Sequence, residues 1–235
     1  MQYLIIGNFG NHSVAVTQAL IEKNLPDLHF VCVDTGWAAS AWTERVQQGA
    51  QWAKRQGVSV HQIASPASFA EMVKDRNQFP SPKFQWCASF LKGLPVLTFL
   101  DTFDPFYDAV IVSGKRRQDS RRYSQLSEFE KENELYQRPT WYPLLQVGDE
   151  EFRALVKRTG LSFLPHQSLE CSPCIHLNPP EQNGLDEASL KRLRLLEQEV
   201  GQTMVNTQAV KRNTVQGIGL HQFDRGCGAS WGCGE

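Results

Sequence analysis

Residues 2–13, QYLIIGNFGNHS, begin with a short apolar run, pass through a glycine-containing turn and lead into a helix-like segment. Three similar apolar runs, rich in β-branched residues, follow at HFVCVD (29–34), VSVHQI (58–63) and AVIVSG (109–114). Such runs are typical of strands buried on both faces. Helix-like segments separate them at residues 13–24, 40–56, 66–76 and 88–100. This alternation predicts an α/β fold, a Rossmann-like parallel sheet flanked by helices.

The pattern changes after the fourth apolar run. Residues 115–145 are polar, charged and weakly periodic, which predicts a long functional loop. Helical patterns return at residues 149–159 and 185–200. The tail, FDRGCGASWGCGE (223–235), is rich in glycine and cysteine and has no periodicity.

Charge and hydropathy exclude several classes of protein. The 235 residues include 24 Lys+Arg and 25 Asp+Glu, so the formal net charge is −1. This balance excludes a protein whose whole surface binds nucleic acid or a membrane, although local basic patches remain compatible with it. No apolar run is long enough to span a bilayer, and the first residues lack the basic region of a signal peptide. A cytoplasmic protein is therefore expected.

The loops after the predicted strands are the candidate binding site, because ligands of parallel sheets bind beyond the carboxyl ends of the strands. The first loop consists of Gly7, Asn8, Phe9, Gly10, Asn11, His12 and Ser13. Its glycines let backbone N–H groups approach a phosphate at the helix N-terminus, although an ordinary turn has the same pattern. In the second loop, Asp34-Thr35-Gly36, the carboxylate either accepts from a ribose or amine or simply caps the turn.

The loop after the fourth predicted strand is strongly basic. Residues 114–122, GKRRQDSRR, contain five cations and one carboxylate. Runs of charge usually form solvated faces, but guanidinium groups at this edge of a sheet suit phosphate or sulfate. We therefore predict anion binding by Gly114, Arg116, Arg117 and Ser120.

The six cysteines are unevenly spaced. Cys171 and Cys174 form a C-x2-C pair, whose thiolates can hold zinc or an iron–sulfur cluster if further ligands join them. Cys32 lies inside an apolar run and is predicted to be a small core residue. The candidate metal ligands are Cys87, Cys171, Cys174, Cys227 and Cys233.

Taken in order, these segments resemble the phosphoadenosine phosphosulfate (PAPS) reductase family of PP-loop, adenine nucleotide alpha hydrolase-like proteins. Residues 8–13 are similar to the family's S-F-G-x-x-S loop, and residues 33–36 to its F-x-D-T-G strand end. Trp86-Cys87 with Lys92 and Pro95 resembles R-W-C-x4-K-x2-P. Residues 114–120 resemble the family's G-x-R-x-x-E-S, with Asp119 in place of the Glu. Further similarities follow at residues 143–151, 160–161 and 171–174.

The resemblance implies a PAPS reductase-like nucleotide-binding domain at residues 1–165, with a cysteine-bearing C-terminal region packed on it at residues 166–235. It implies ATP or a sulfonucleotide as ligand, Mg²⁺, and a [4Fe-4S] cluster with zinc as the alternative. It also implies catalytic roles for Lys92, Cys227 and Cys233. Relatives in tRNA thiolation and DNA phosphorothioation imply a cysteine desulfurase as sulfur donor and a nucleic acid presented by a partner protein.

Several residues depart from the family pattern. Asn8 stands where the family has Ser, and His12 stands where PP-loop ATPases have Asp. Cys87 is followed by Ala88, whereas cluster-bearing reductases have two adjacent cysteines there. Cys227 or Cys233 would then supply the missing cluster ligand.

Three functions fit these features. In the first, the protein adenylates its substrate with ATP so that sulfur can be inserted. In the second, it reduces a sulfonucleotide, and Cys227 or Cys233 attacks the sulfate sulfur. In the third, it is a non-catalytic nucleotide- or metal-binding subunit of a larger complex. The paired tail cysteines favour cluster ligation, and we expect the first function.

Overall fold

A six-stranded sheet forms the centre of the protein in a computed structural model, which describes residues 1–81, 83–176 and 185–204. The strands are β1 (Tyr3–Ile6), β2 (Leu28–Asp34), β3 (Ser59–Ala64), β4 (Val110–Val112), β5 (Phe129–Asn133) and β6 (Arg138–Trp141). Their order is β3-β2-β1-β4-β6-β5, and neighbouring strands are parallel except for β5 with β6. The predicted Rossmann-like α/β fold is confirmed.

Helices cover both faces of this sheet. They are α1 (Asn11–Glu22), α2 (Ser40–Arg55), α3 (Phe69–Arg76), α4 (Trp86–Ala88), α5 (Leu94–Phe103), α6 (Asp149–Arg158) and α7 (Glu187–Val200). A π-helical turn, Ser89–Gly93, joins α4 to α5. Pro95 has no N–H to donate to the carbonyl of Leu91, which favours this local widening of the helix. In the described part of the chain, no helix is long and apolar enough to cross a membrane.

Successive side chains of the central strands point to opposite faces of the sheet. Because helices cover both faces, these strands are buried on both sides. Ile5 and Phe30 belong to a core cluster that also includes buried residues of α1, α2 and α6. Leu4 and Val31 belong to the cluster on the other face, with residues of α5. The continuous apolar runs of the sequence are explained by this double burial.

A third core cluster lies between α3, α4 and α7, and we name it the C-terminal cluster because α7 contributes to it. This C-terminal cluster consists of Trp37, Phe69, Val73, Phe79, Trp86, Leu91, Leu196, Val200 and Met204. α7 is also tied to α3 by an ion pair, with Lys74 Nζ 2.9 Å from Glu199 Oε2. The predicted domain division between residues 165 and 166 stays a prediction.

The prediction of a long loop at residues 115–145 is wrong for part of that range. Two 3-10 turns, Arg117–Asp119 and Arg121–Tyr123, precede the strands β5 and β6. β5 is an exposed edge strand of sequence FEKEN, in which Phe129 alone is apolar, so the alternation by which a strand is recognised is missing. In β6, the buried positions are Arg138 and Thr140, both polar.

The strand order places a crevice beside β1. The chain passes from β1 through α1 to β2 on one side, whereas β4 pairs with β1 on the other side. In open α/β sheets, ligands bind at such a change of direction, beyond the carboxyl ends of the strands. The loops after β1 and β4 therefore border the candidate site.

Candidate functional site

The first loop leads directly into the N-terminus of α1. Gly10 is the N-cap residue, and within the described residues no side chain caps this helix. The first N–H groups of the helix, at Asn11, His12 and Ser13, therefore remain available at the carboxyl edge of the sheet. The hydroxyl of Ser13 donates to the Gly10 carbonyl at 3.2 Å. An uncapped helix N-terminus of this kind favours an anion.

Asn8 fixes the shape of the first loop. Its Oδ1 accepts from the backbone N–H of Gly10 at 2.8 Å, and its Nδ2 donates to Glu170 Oε1 at 3.0 Å. The Asn8 side chain is buried, so the Asn that replaces the family's Ser holds the first loop in place.

Phe9 supports the loop from the core. It has a φ of 63°, and its ring stacks on Phe30 with 4.1 Å between ring centroids. A Cβ on Gly49 would lie 2.3 Å from the Phe9 ring, so only glycine fits beside it. Arg45 Nε donates to the Phe9 carbonyl at 2.9 Å. Because the Phe9 ring is fully buried, the residue presents only its backbone to the crevice.

The second loop is a tight turn after β2, as the sequence predicts. Gly36 has a φ of 65°, and its N–H donates to Asp34 Oδ1 at 2.8 Å. The Asp34 carboxylate thus caps the turn while the residue stays exposed. Thr35 is buried, and its hydroxyl donates to the Glu170 carbonyl at 3.1 Å.

The loops after β1 and β4 touch at Gly114. A Cβ on this residue would lie 2.5 Å from the His12 carbonyl oxygen. The absence of a side chain at Gly114 therefore lets the two loops that border the crevice come into contact.

Arg116 lies beneath this contact and is almost fully buried. Its guanidinium donates to both carboxylate oxygens of Asp119, at 2.8 and 2.5 Å, and to Asp149 Oδ1 at 2.9 Å. It also lies over the Phe152 ring, 4.0 Å from the centroid. These hydrogen bonds of Arg116 go to protein carboxylates, and its predicted role in anion binding stays a prediction.

Two departures from the family pattern meet in this network. His12 Nε2 lies 2.8 Å from Asp119 Oδ2. Burial raises the pKa of Asp119, but hydrogen bonds from His12 and Arg116 outweigh that effect and hold the pKa below its ordinary value. The Asp119 carboxylate therefore joins His12 and Arg116 in one hydrogen-bonded network.

The rest of the basic loop is more exposed. Arg117 donates to the carbonyls of Ser124 and Leu126, at 3.1 and 2.9 Å. Ser120 Oγ accepts from the N–H of Arg122 at 3.2 Å. These bonds order the loop, and the anion-binding roles of Arg117 and Ser120 stay predictions.

Glu170, which the sequence analysis did not single out, crosses the floor of the crevice. Its carboxylate accepts from Asn8 Nδ2 and also pairs with Lys92 Nζ, from the π-helical turn. Only 5% of Lys92 and 9% of Glu170 are exposed. A single Glu before the C-x2-C pair carries no distinctive sequence signal, so only the fold reveals it.

The cysteine-bearing segments meet around the C-terminal cluster. Cys87 and Cys171 both pack against it, and Cys171 Sγ lies 4.0 Å from Thr35 Oγ1. Cys174, the other cysteine of the C-x2-C pair, is half-buried. Among the described residues, no three His, Cys, Asp or Glu side chains are grouped as a metal site. Cys227 and Cys233 lie outside the described residues, and their roles stay predictions.

Cys32 is a core residue, as predicted. It is 6% exposed, on β2. Burial, with smaller contributions from the charges of Glu170 and Asp34, raises the pKa of its thiol to about 12. This thiol therefore remains protonated at neutral pH and is a poor nucleophile or metal ligand.

Comparison with known proteins identifies the fold and the family. The family model described as "Phosphoadenosine phosphosulfate reductase domain" matches residues 2–167. The structure is similar to NMN synthetase from Francisella tularensis, with a TM-score of 0.51 and 10% identity over 90% of this chain and 82% of that one. It is also similar to NH3-dependent NAD synthetase from Campylobacter jejuni, with a TM-score of 0.46 and 12% identity over 93% and 90%.

The search of curated proteins finds no significant match. The similarity to the NMN synthetase is at 10% identity and concerns the fold alone. The family model, by contrast, covers well over half of the 235 residues. The chain therefore belongs to the phosphoadenosine phosphosulfate reductase family.

Proposed function

We propose that the crevice beside β1 binds ATP and that the protein adenylates its substrate to prepare it for sulfur insertion. The observation that carries the proposal is the uncapped N-terminus of α1, held against the loop after β4 by the contact at Gly114. Membership of the family supports the use of an adenine nucleotide.

The proposed reaction has two displacements. An oxygen of the substrate attacks the α-phosphorus of ATP, the bond to the bridging oxygen breaks, and pyrophosphate leaves. A sulfur atom supplied as a cysteine persulfide is reduced to the level of sulfide by two electrons from a thiol reductant. It then attacks the activated substrate centre, and AMP leaves with the original oxygen. Mg²⁺ accompanies ATP in this scheme.

The protein's own contribution is positioning and charge stabilisation. The N–H groups at the start of α1 hold the phosphates, and Lys92 provides a cation at the same edge of the sheet. Asp34 is exposed at the end of β2 and is available to a ribose hydroxyl. The near-neutral net charge disfavours a protein that grips a long duplex alone, so a nucleic-acid substrate would be presented by a partner protein. A cysteine desulfurase would be the sulfur donor.

Binding measurements on anaerobically purified protein test the proposal. Isothermal titration with ATP and Mg²⁺ should show saturable binding, and pyrophosphate should form when the substrate is present. The family match favours one competing function, sulfonucleotide reduction. If the protein binds adenylylsulfate or phosphoadenylylsulfate but not ATP, its function is sulfonucleotide reduction and the proposal of adenylation is wrong.

The proposal includes an iron–sulfur cluster that holds or delivers sulfur. The described residues supply three candidate thiolates, Cys87, Cys171 and Cys174, and Cys227 or Cys233 would complete the set. The packing of Cys87 and Cys171 on one cluster of buried residues supports this assignment. Four thiolates are the usual ligand set of such a cluster.

Replacing Cys171 with serine is expected to remove most of the bound metal, because serine is a poor ligand for iron or zinc. The measurement is the iron and zinc content per chain and the absorbance of the reconstituted protein. Cys32→Ser is the matched control, since Cys32 is a buried core thiol, and its metal content should stay at the wild-type level. Full metal content in Cys171→Ser would contradict the ligand assignment.

A further inference from the structure

We propose that the Glu170 carboxylate occupies an anion position on the floor of the crevice and is displaced when a phosphate or sulfate group binds there. This inference rests on the proposed function, because it assigns the anion to an adenine nucleotide. Glu170 would then be a specificity residue, because a ligand needs a strongly anionic group to displace its carboxylate.

The groups around the carboxylate are those that would receive an anion. Asn8 Nδ2 donates to Glu170 Oε1 at 3.0 Å, and Lys92 Nζ pairs with the same oxygen. Both donors are more than nine-tenths buried. Asn8 belongs to the loop that opens α1, so a phosphate at the helix N-terminus comes close to this pair. The cation and the amide N–H group are buried side by side and together can bind an anionic oxygen.

The backbone around Glu170 is fixed independently of its carboxylate. Thr35 Oγ1 donates to the Glu170 carbonyl at 3.1 Å, and the Ser172 N–H donates to the Trp37 carbonyl at 2.8 Å. The Ala39 N–H donates to the Leu169 carbonyl at 3.0 Å. Rotation of the Glu170 side chain can therefore vacate the position while the segment stays attached to the sheet edge.

The carboxylate and the incoming group carry the same sign of charge, so they compete for Lys92 and Asn8. A nucleoside without phosphate does not compete and should bind independently of Glu170. This difference separates a role in anion selection from a purely structural ion pair, for which the loss of Glu170 would weaken all binding equally.

The test is Glu170→Gln, which keeps the side-chain shape and removes the charge. We expect its affinity for pyrophosphate and for ATP to rise about tenfold, because one like charge is removed from the site. The affinity for adenosine should not change. Isothermal titration gives these affinities at constant ionic strength. Glu44→Gln is the control, because it makes the same change at an exposed position of α2.

Removing the charge leaves Lys92 without this partner, so stability must be followed in the same samples. Pyrophosphate should raise the melting temperature of Glu170→Gln more than that of the wild type. Glu170→Asp keeps the charge on a shorter side chain and should give an intermediate gain in affinity, which preserves the test if Glu170→Gln folds poorly.

Two results would overturn the inference, and they are distinguishable. If the wild type binds ATP but neither variant binds pyrophosphate more tightly, Glu170 does not compete with the ligand. If no protein in the series binds ATP or pyrophosphate, the proposed function fails and the inference fails with it.

Discussion

Gly114→Ala is expected to weaken the binding of ATP by about tenfold or more, since small displacements of binding groups have large effects. The new Cβ would lie 2.5 Å from the carbonyl oxygen of His12 and 2.8 Å from its carbonyl carbon. Both are backbone atoms, so neither can rotate away as a side chain would. The loop after β4 must then move away from the N-terminus of α1.

Gly148→Ala is the matched control for this variant. Gly148 is the N-cap residue of α6 with a φ of −75°, and a Cβ there would meet no atom within 4 Å. Its ATP affinity should equal that of the wild type in the same isothermal titration. Wild-type affinity in a folded Gly114→Ala protein would show that the contact between the two loops is not needed for the site.

Arg138→Met is expected to lower the free energy of unfolding by about 3–5 kcal/mol, because it leaves a buried carboxylate without its cation. Arg138 is 1% exposed, and its Nε donates to Asp104 Oδ2 at 2.6 Å. The same guanidinium also donates to the carbonyls of Leu100, Asp104 and Tyr136. It thereby joins β6 to the C-terminal end of α5, which packs on the sheet.

An exposed ion pair provides the comparison. Arg158 Nε lies 2.7 Å from Glu22 Oε1, and both side chains are more than a third exposed. Arg158→Met should cost less than about 1 kcal/mol, because solvent screens such pairs. Urea unfolding of both variants measures the difference. Equal losses would show that the buried pair does not stabilise the sheet as described.

The fold was predictable where burial leaves a periodic pattern in the sequence. The runs around β1 to β4 are apolar because helices cover both faces of those strands. β5 was missed because it is the exposed edge strand and contains charged residues such as Glu130. β6 was missed because its buried positions are polar, as at Arg138. The buried Arg138 is compatible with a strand only because Asp104, distant in sequence, is its partner.

The site was predictable only in part, because local turns leave a pattern in the sequence and contacts between distant residues do not. A loop residue such as Gly36, with a φ of 65°, shows its conformational role in the sequence, because such a turn favours glycine. Long-range pairs leave no local signal. The contact of His12 with Asp119 spans 107 positions, and that of Asn8 with Glu170 spans 162. The departures from the family pattern therefore became interpretable only when their partners were located.

The most direct test of the central claim is a crystal structure of the protein with α,β-methylene-ATP, which cannot release pyrophosphate by cleavage at the bridging position. We expect the phosphates to lie within about 3 Å of the N–H groups at Asn11–Ser13, at the N-terminus of α1. A nucleotide bound away from the loops after β1 and β4 would contradict it.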